Sequence, residues 1–163
     1  MTYCVAMRLN AGLVFLSDSR TNAGLDQIST FRKMTIYERE GDRVLVMLSA
    51  GNLAITQAVK QVLSSETIDG GDGKPITIWT AKSMFDVARI VGSAVRKVHA
   101  RDADALKKHG IEFNCSLIIG GQIQGETLRL FNVYAAGNFV EAGIDGVCYF
   151  QIGESKYGKP VID

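Results

Sequence analysis

Residues 3–17 run Tyr3-Cys4-Val5-Ala6-Met7-Arg8-Leu9-Asn10-Ala11-Gly12-Leu13-Val14-Phe15-Leu16-Ser17, and their pattern decides the fold class. Tyr3 to Leu9 reads as a strand, Asn10-Ala11-Gly12 as a tight turn, and Leu13 to Ser17 as the hairpin partner. The unbroken apolar run Leu13-Val14-Phe15-Leu16 predicts a strand covered on both faces. A loop is expected through Thr21-Asn22-Ala23-Gly24. A second hairpin follows, with Lys33 to Tyr37 and Arg43 to Leu48 flanking the turn Glu40-Gly41-Asp42.

After Ser49-Ala50-Gly51 the apolar spacing changes. Leu53, Ile55, Ala58, Val59, Val62 and Leu63 recur at helical intervals up to about Ser64. Beyond the loop at 69–75, Phe85, Ala88, Val91, Val95 and Val98 line one face of a longer helix. That helix is expected to start near Thr77 or Thr80 as N-cap and to end before Gly110. Strand signals resume in Phe113 to Ile119, Thr127 to Tyr134 and Gly146 to Ile152. Strands grouped together and helices grouped together, without strict alternation, predict an α+β protein with antiparallel sheets. The apolar faces suffice for two stacked sheets, with the helix pair covering one of them.

The bulk properties set the class. The chain has 163 residues, 47% hydrophobic and 21% charged, with 2 prolines and no composition break, which predicts one globular domain. A formal charge of +1 gives no footprint for nucleic acid or an anionic membrane surface. No stretch approaches the ~18 apolar residues of a membrane span, and the N-terminus lacks the layout of a signal peptide. Cys4, Cys115 and Cys148 each sit in an apolar stretch without CxxC spacing. They read as small buried hydrophobes in a reducing cytoplasm, not as a disulfide framework or a metal site.

Four features carry possible chemistry: Thr2 behind the initiator Met1, Asp18 in Ser17-Asp18-Ser19-Arg20, Lys33 at the opening of the third expected strand, and Gly51 between a strand and a helix. Each also has a structural explanation: a strand start, a turn residue paired with Arg20, a solvated strand end, a helix N-terminus. His99 and His109 fall at the polar end of the long helix and read as solvated. The run Lys107-Lys108-His109 suits a helix C-terminus and its dipole.

Taken together, the four resemble a family. From Thr2 to about Met34, and again at Ser49-Ala50-Gly51, the chain is similar to proteasome β-subunits and the bacterial HslV-type peptidases, which are N-terminal-nucleophile hydrolases. Asp18 lies sixteen positions after Thr2, the spacing of that family's nucleophile and aspartate, and Ser19-Arg20 also match. Within the superfamily the chain most resembles Anbu, the bacterial ancestral β-subunit. The stretches at 1–5, 16–24 and 28–34 carry this resemblance, and it continues through Ile152-Gly153-Glu154-Ser155-Lys156-Tyr157-Gly158-Lys159-Pro160.

The resemblance implies a four-layer αββα sandwich whose C-terminal helices are missing here, that is, a single proteasome β-type domain over 1–163 truncated at its C-terminus, with one apolar sheet face exposed. It implies catalysis by Thr2, Asp18, Lys33 and Gly51, substrate binding by Arg20 and Thr21, and no metal or other cofactor. Ser155 or Glu154 takes the place of the family's Gly-Ser-Gly serine. The implied partners are further copies of the chain in a homo-oligomeric ring and a peptide or protein substrate, with ATP-grasp or transglutaminase-like proteins as possible operon partners. A non-catalytic ring subunit and a hydrolase of small amides are the alternatives.

The chemistry is physically coherent. A threonine hydroxyl needs a base, and the α-amino group freed by removal of Met1 has a pKa of ~7.7–8.0. A cationic Lys33 nearby lowers that pKa, and Asp18 holds the lysine in place. Gly51 N–H would receive the oxyanion, the missing Cβ allowing close approach of substrate.

Overall fold

The computed structural model describes residues 2–22, 28–154 and 156. In chain order the elements are β1 (Tyr3–Leu9), β2 (Gly12–Ser17), β3 (Arg20–Asn22), β4 (Ile28–Thr30), β5 (Met34–Arg39), β6 (Arg43–Gly51), α1 (Leu53–Leu63), β7 (Ile68–Asp69), β8 (Pro75–Ile76), α2 (Met84–Lys108), β9 (Cys115–Ile123), β10 (Arg129–Val133), β11 (Phe139–Glu141) and β12 (Tyr149–Gly153).

Two main sheets form, both antiparallel. The smaller has the order β12-β1-β2 and the larger β11-β10-β9-β6-β5. Register follows side-chain alternation: Cys4 lies opposite Ser17 and Ile152, and Ala6 opposite Phe15 and Phe150. Cys4, Ala6, Phe15, Phe150 and Ile152 pack with Leu48, Ala50, Ile118 and Leu130 in the inter-sheet core. The other face of the large sheet meets the helices. There Leu45, Met47, Leu117, Ile119 and Phe131 pack against Ile55, Val59, Leu63, Val87, Val91 and Val95. Burying one such side chain fully contributes about 1.5–3 kcal/mol before conformational entropy is charged against it.

The layers are therefore helices, large sheet, small sheet, which is three of the four layers of the expected αββα sandwich among the described residues. The outer face of the small sheet carries Val14 and Leu16, 48% and 60% exposed, so among the described residues β2 is covered on one face and not on both as its apolar run predicts. No helix among the described residues is long and apolar enough to cross a membrane.

Local chemistry sets the element ends. Asn52 caps α1 by accepting the N–H groups of Ala54 and Ile55, and Ser83 caps α2 by accepting that of Asp86. Lys107 and Lys108 occupy the last turn of α2, where cations suit the helix dipole. The expectation that α2 begins at Thr77 or Thr80 is corrected. These threonines close a separate turn: Thr80 Oγ1 accepts Thr77 N–H and Thr77 Oγ1 accepts Trp79 N–H. Hydroxyls that bond the local backbone compete with the helix ladder, so the helix waits for Ser83. The loop expected at 21–24 also differs, since β3 pairs with β4, Arg20 opposite Thr30 and Asn22 opposite Ile28; residues 23–27 lie outside the described residues.

Candidate active site

The site lies where the ends of β1, β6, β9 and β12 meet the start of β5. β1 and β12 fix Thr2 by its backbone. Tyr3 pairs with Gly153, and the Thr2 carbonyl accepts the N–H of Glu154 at 2.6 Å. Gly153 has φ +94°, and a Cβ there would collide with the Thr2 carbonyl oxygen. Only glycine lets β12 come this close to Thr2.

Asp18 follows β2 and turns back under Thr2. Its Oδ1 accepts the Tyr3 N–H at 2.8 Å, and its Oδ2 accepts a Lys33 Nζ proton at 2.5 Å. One carboxylate thus ties the strand bearing Thr2 to the lysine. Desolvation pushes the Asp18 carboxyl upward, but the Lys33 hydrogen bond and charge and the Tyr3 N–H outweigh it, so its pKa falls below the ordinary value. Lys33 lies just before β5, and its side chain is 6% exposed. An ammonium so buried requires a partner, and the pair with Asp18 supplies one.

The backbone at Lys33 is clamped from β6. The Lys33 carbonyl accepts the Ser49 N–H at 2.9 Å and the Ser49 hydroxyl at 3.3 Å. Lys60, on α1, donates to the Arg32 carbonyl at 3.3 Å, and desolvation lowers its pKa.

Gly51 ends β6 with φ +113°. A Cβ there would run into the Asn114 carbonyl oxygen, with the carbonyl carbon 2.9 Å away. That same oxygen accepts the Asn52 N–H at 2.9 Å. The glycine is thus required by the strand-to-helix corner itself. This packing has no local sequence signal, because the Gly51–Asn114 contact appears only once β6 and β9 are in register.

Two cavities open beside Thr2 and share Thr2, Ala50 and Gly51. The narrower, about 30 Å³, is lined also by Phe31, Arg32, Lys33, Ser49, Leu53 and Thr56. The wider, about 340 Å³, is lined also by Asn114, Ser116, Gly153 and Glu154. Thr2, Lys33 and Gly51 therefore face common space, with Asp18 behind Lys33. Arg20 and Thr21 lie in β3, and Ser155 lies outside the described residues, as does Met1. Glu154 is placed at the site through its backbone, and its side chain accepts the Lys156 N–H at 3.1 Å.

Cys4 lies near the site, buried in the inter-sheet core. Burial above all, with the Asp18 charge, pushes its thiol up to about 12, so it stays protonated at neutral pH. Both histidines are exposed, His99 within α2 with its ring edge-on to Phe113 and His109 as the C-cap of that helix. Among the described residues no group of acids, histidines and cysteines could hold a metal ion.

No protein-family model matches the chain, and no curated protein does. Solved structures do. The chain is 53% identical to Anbu (ancestral β-subunit) from Yersinia bercovieri, with a TM-score of 0.83 over 99% of this chain and 65% of that one. It is 48% identical to Anbu from Hyphomicrobium sp. strain MC1, with a TM-score of 0.82 and the same coverage of 99% and 65%. It is 43% identical to the Pseudomonas aeruginosa protein solved as a helical assembly of the Anbu complex, with a TM-score of 0.85 over 99% and 65%. The chain thus spans about two thirds of the length of these relatives.

Proposed function

The chain belongs to the Anbu (ancestral β-subunit) family, and from that premise we propose that it is a proteasome-type threonine hydrolase of peptide or amide bonds. The observation that carries this reading is the Asp18 carboxylate, which holds Lys33 Nζ with one oxygen and the strand of Thr2 with the other.

In this mechanism Met1 is removed and the α-amino group of Thr2 becomes the base. The neighbouring ammonium of Lys33 disfavours the protonated amine and keeps it available near neutral pH. The amine takes the proton from Thr2 Oγ, and Oγ attacks the substrate carbonyl carbon. The carbonyl oxygen gains negative charge and is received by the Gly51 N–H. Collapse breaks the C–N bond, the proton passes from the amine to the departing nitrogen, and an ester to Thr2 remains. Water, deprotonated by the same amine, cleaves the ester and restores Oγ–H. The β-branched Thr2 side chain has few χ1 options, which keeps Oγ aimed.

The working form is a self-assembly of β-type subunits. The Pseudomonas relative, solved as a helical assembly, supports this. A head-to-tail interface closes into a ring when its rotation permits and otherwise continues as a helix. Three unpaired thiols fit a reducing cytoplasm.

Replacing Lys33 with alanine tests the assignment. The variant is expected to lose covalent labelling by a β-lactone while its assembly size in light scattering stays unchanged. Normal labelling of Lys33→Ala refutes the role given to the lysine.

A further inference from the structure

Lys33 stands just outside the sheet it adjoins. The β5–β6 ladder begins at Met34, opposite Leu48, and residues 31–33 belong to no strand. The backbone of this lysine therefore depends on individual bonds. The peptide plane that leaves Lys33 is held from β6, where the Ser49 N–H and hydroxyl both reach the Lys33 carbonyl. The plane that enters it contains the Arg32 carbonyl and the Lys33 N–H. Its oxygen accepts a proton of Lys60 Nζ at 3.3 Å.

The donor sits on a rigid support. Lys60 lies in the last turn of α1, and Ile55, Val59 and Leu63 bury that helix against the large sheet. Lys60 itself is half-buried, and desolvation lowers its pKa, so the ammonium holds this place at a cost. The bond adds little to stability in return. Arg32 is exposed, and water can replace the lysine at its carbonyl. Water would satisfy the oxygen but tie it to nothing, whereas Lys60 ties it to the core. Asp18 meanwhile grips the far end of the Lys33 side chain, so the base of that side chain is the part left for Ser49 and Lys60 to fix.

Building on the threonine-hydrolase reading, we propose that Lys60 is a positioning residue of the site, which fixes the peptide plane before Lys33 and so sets where the Lys33 ammonium stands. Its effect belongs to the acylation step. A misplaced ammonium weakens the activation of Thr2 and leaves probe binding alone.

The test is the kinetics of β-lactone labelling of the full chain, resolved into reversible probe affinity and the first-order rate of acylation. Lys60→Met keeps the apolar stem and its packing but removes the donor. A shift of ~1 Å at a reacting group costs about 100-fold, and loosening one hold on Lys33 predicts about tenfold slower acylation. Probe affinity should stay within about twofold of wild type, and the thermal midpoint should be unchanged or higher, because a desolvated charge has been removed. Lys60→Arg restores a charged donor and should return the rate to within about threefold of wild type. A merely structural lysine would give the reverse in Lys60→Met, a lower midpoint with acylation intact. If wild type is labelled, three results overturn this inference alone: Lys60→Met acylated at the wild-type rate, slow acylation that comes with a lowered midpoint, or no recovery in Lys60→Arg. Absence of labelling in wild type overturns the hydrolase reading and this inference with it.

Discussion

Replacing Gly51 with alanine separates two reasons for a glycine at the strand-to-helix corner. The backbone there has φ +113°, a conformation that costs an L side chain about 1–3 kcal/mol. The added methyl also meets Asn114, with the carbonyl carbon at 2.9 Å and Oδ1 at 3.1 Å as well as the colliding carbonyl oxygen; overpacking of this kind costs roughly 1–3 kcal/mol. Displacing the carbonyl weakens its bond to Asn52 N–H, about 1 kcal/mol more. The combined loss is about 3–7 kcal/mol, a large part of the ~5–15 kcal/mol that holds a domain together. At ~2–4 °C per kcal/mol, the thermal midpoint falls by roughly 6–28 °C. Gly41→Ala is the control. Gly41 has φ +72° and nothing near its missing Cβ, so it carries only the left-handed cost of about 1–2 kcal/mol. Urea denaturation followed by the fluorescence of Trp79, the chain's one tryptophan, packed edge-on to Tyr37, measures both variants. If Gly51→Ala is no less stable than Gly41→Ala, the collision argument is wrong and the glycine serves substrate approach alone.

Acid should expose the Asp18–Lys33 pair. The folded pKa of Asp18 lies below its ordinary value, so its contribution to stability is fully present above ~3.9 and is lost as pH falls through the folded value. The stability gap between wild type and Asp18→Asn, measured by urea denaturation from neutral pH downward, should therefore narrow below ~3.9; a gap that widens on acidification contradicts the pairing. Thiol alkylation at mildly alkaline pH should mark Cys148, which is exposed and not buried as its apolar stretch suggests, and spare Cys4 and Cys115, whose thiols are pushed up to about 12 and about 11 by burial. Mass mapping that finds Cys4 modified as fast as Cys148 in the folded protein would show the inter-sheet core to be open.

The sheets were legible because their strands alternate. Tyr3–Leu9 was placed to the residue, β5 and α1 within one or two positions, and β6 from its first residue but three residues short at its end. The start of α2 was misplaced because Thr77 and Thr80 look like N-caps in sequence, yet their hydroxyls spend themselves on their own turn. β3, β4 and β11, each 3 residues long, carry too few side chains to show a period. For the site, sequence supplied residue types and spacing, enough to bring Thr2, Asp18, Lys33 and Gly51 forward as candidates. It could not supply the clamps. Ser49 on the Lys33 carbonyl, Glu154 N–H on the Thr2 carbonyl and Asn114 against Gly51 are contacts across strands, created by register and invisible to local pattern.

The most direct test of Thr2 as an N-terminal nucleophile is the intact mass of the full chain before and after a β-lactone, with tandem sequencing of the N-terminal peptide. The account predicts loss of Met1, one added probe on the Thr2 hydroxyl, and no adduct in Thr2→Ala. Retained Met1 with no adduct, or an adduct that persists in Thr2→Ala, contradicts it.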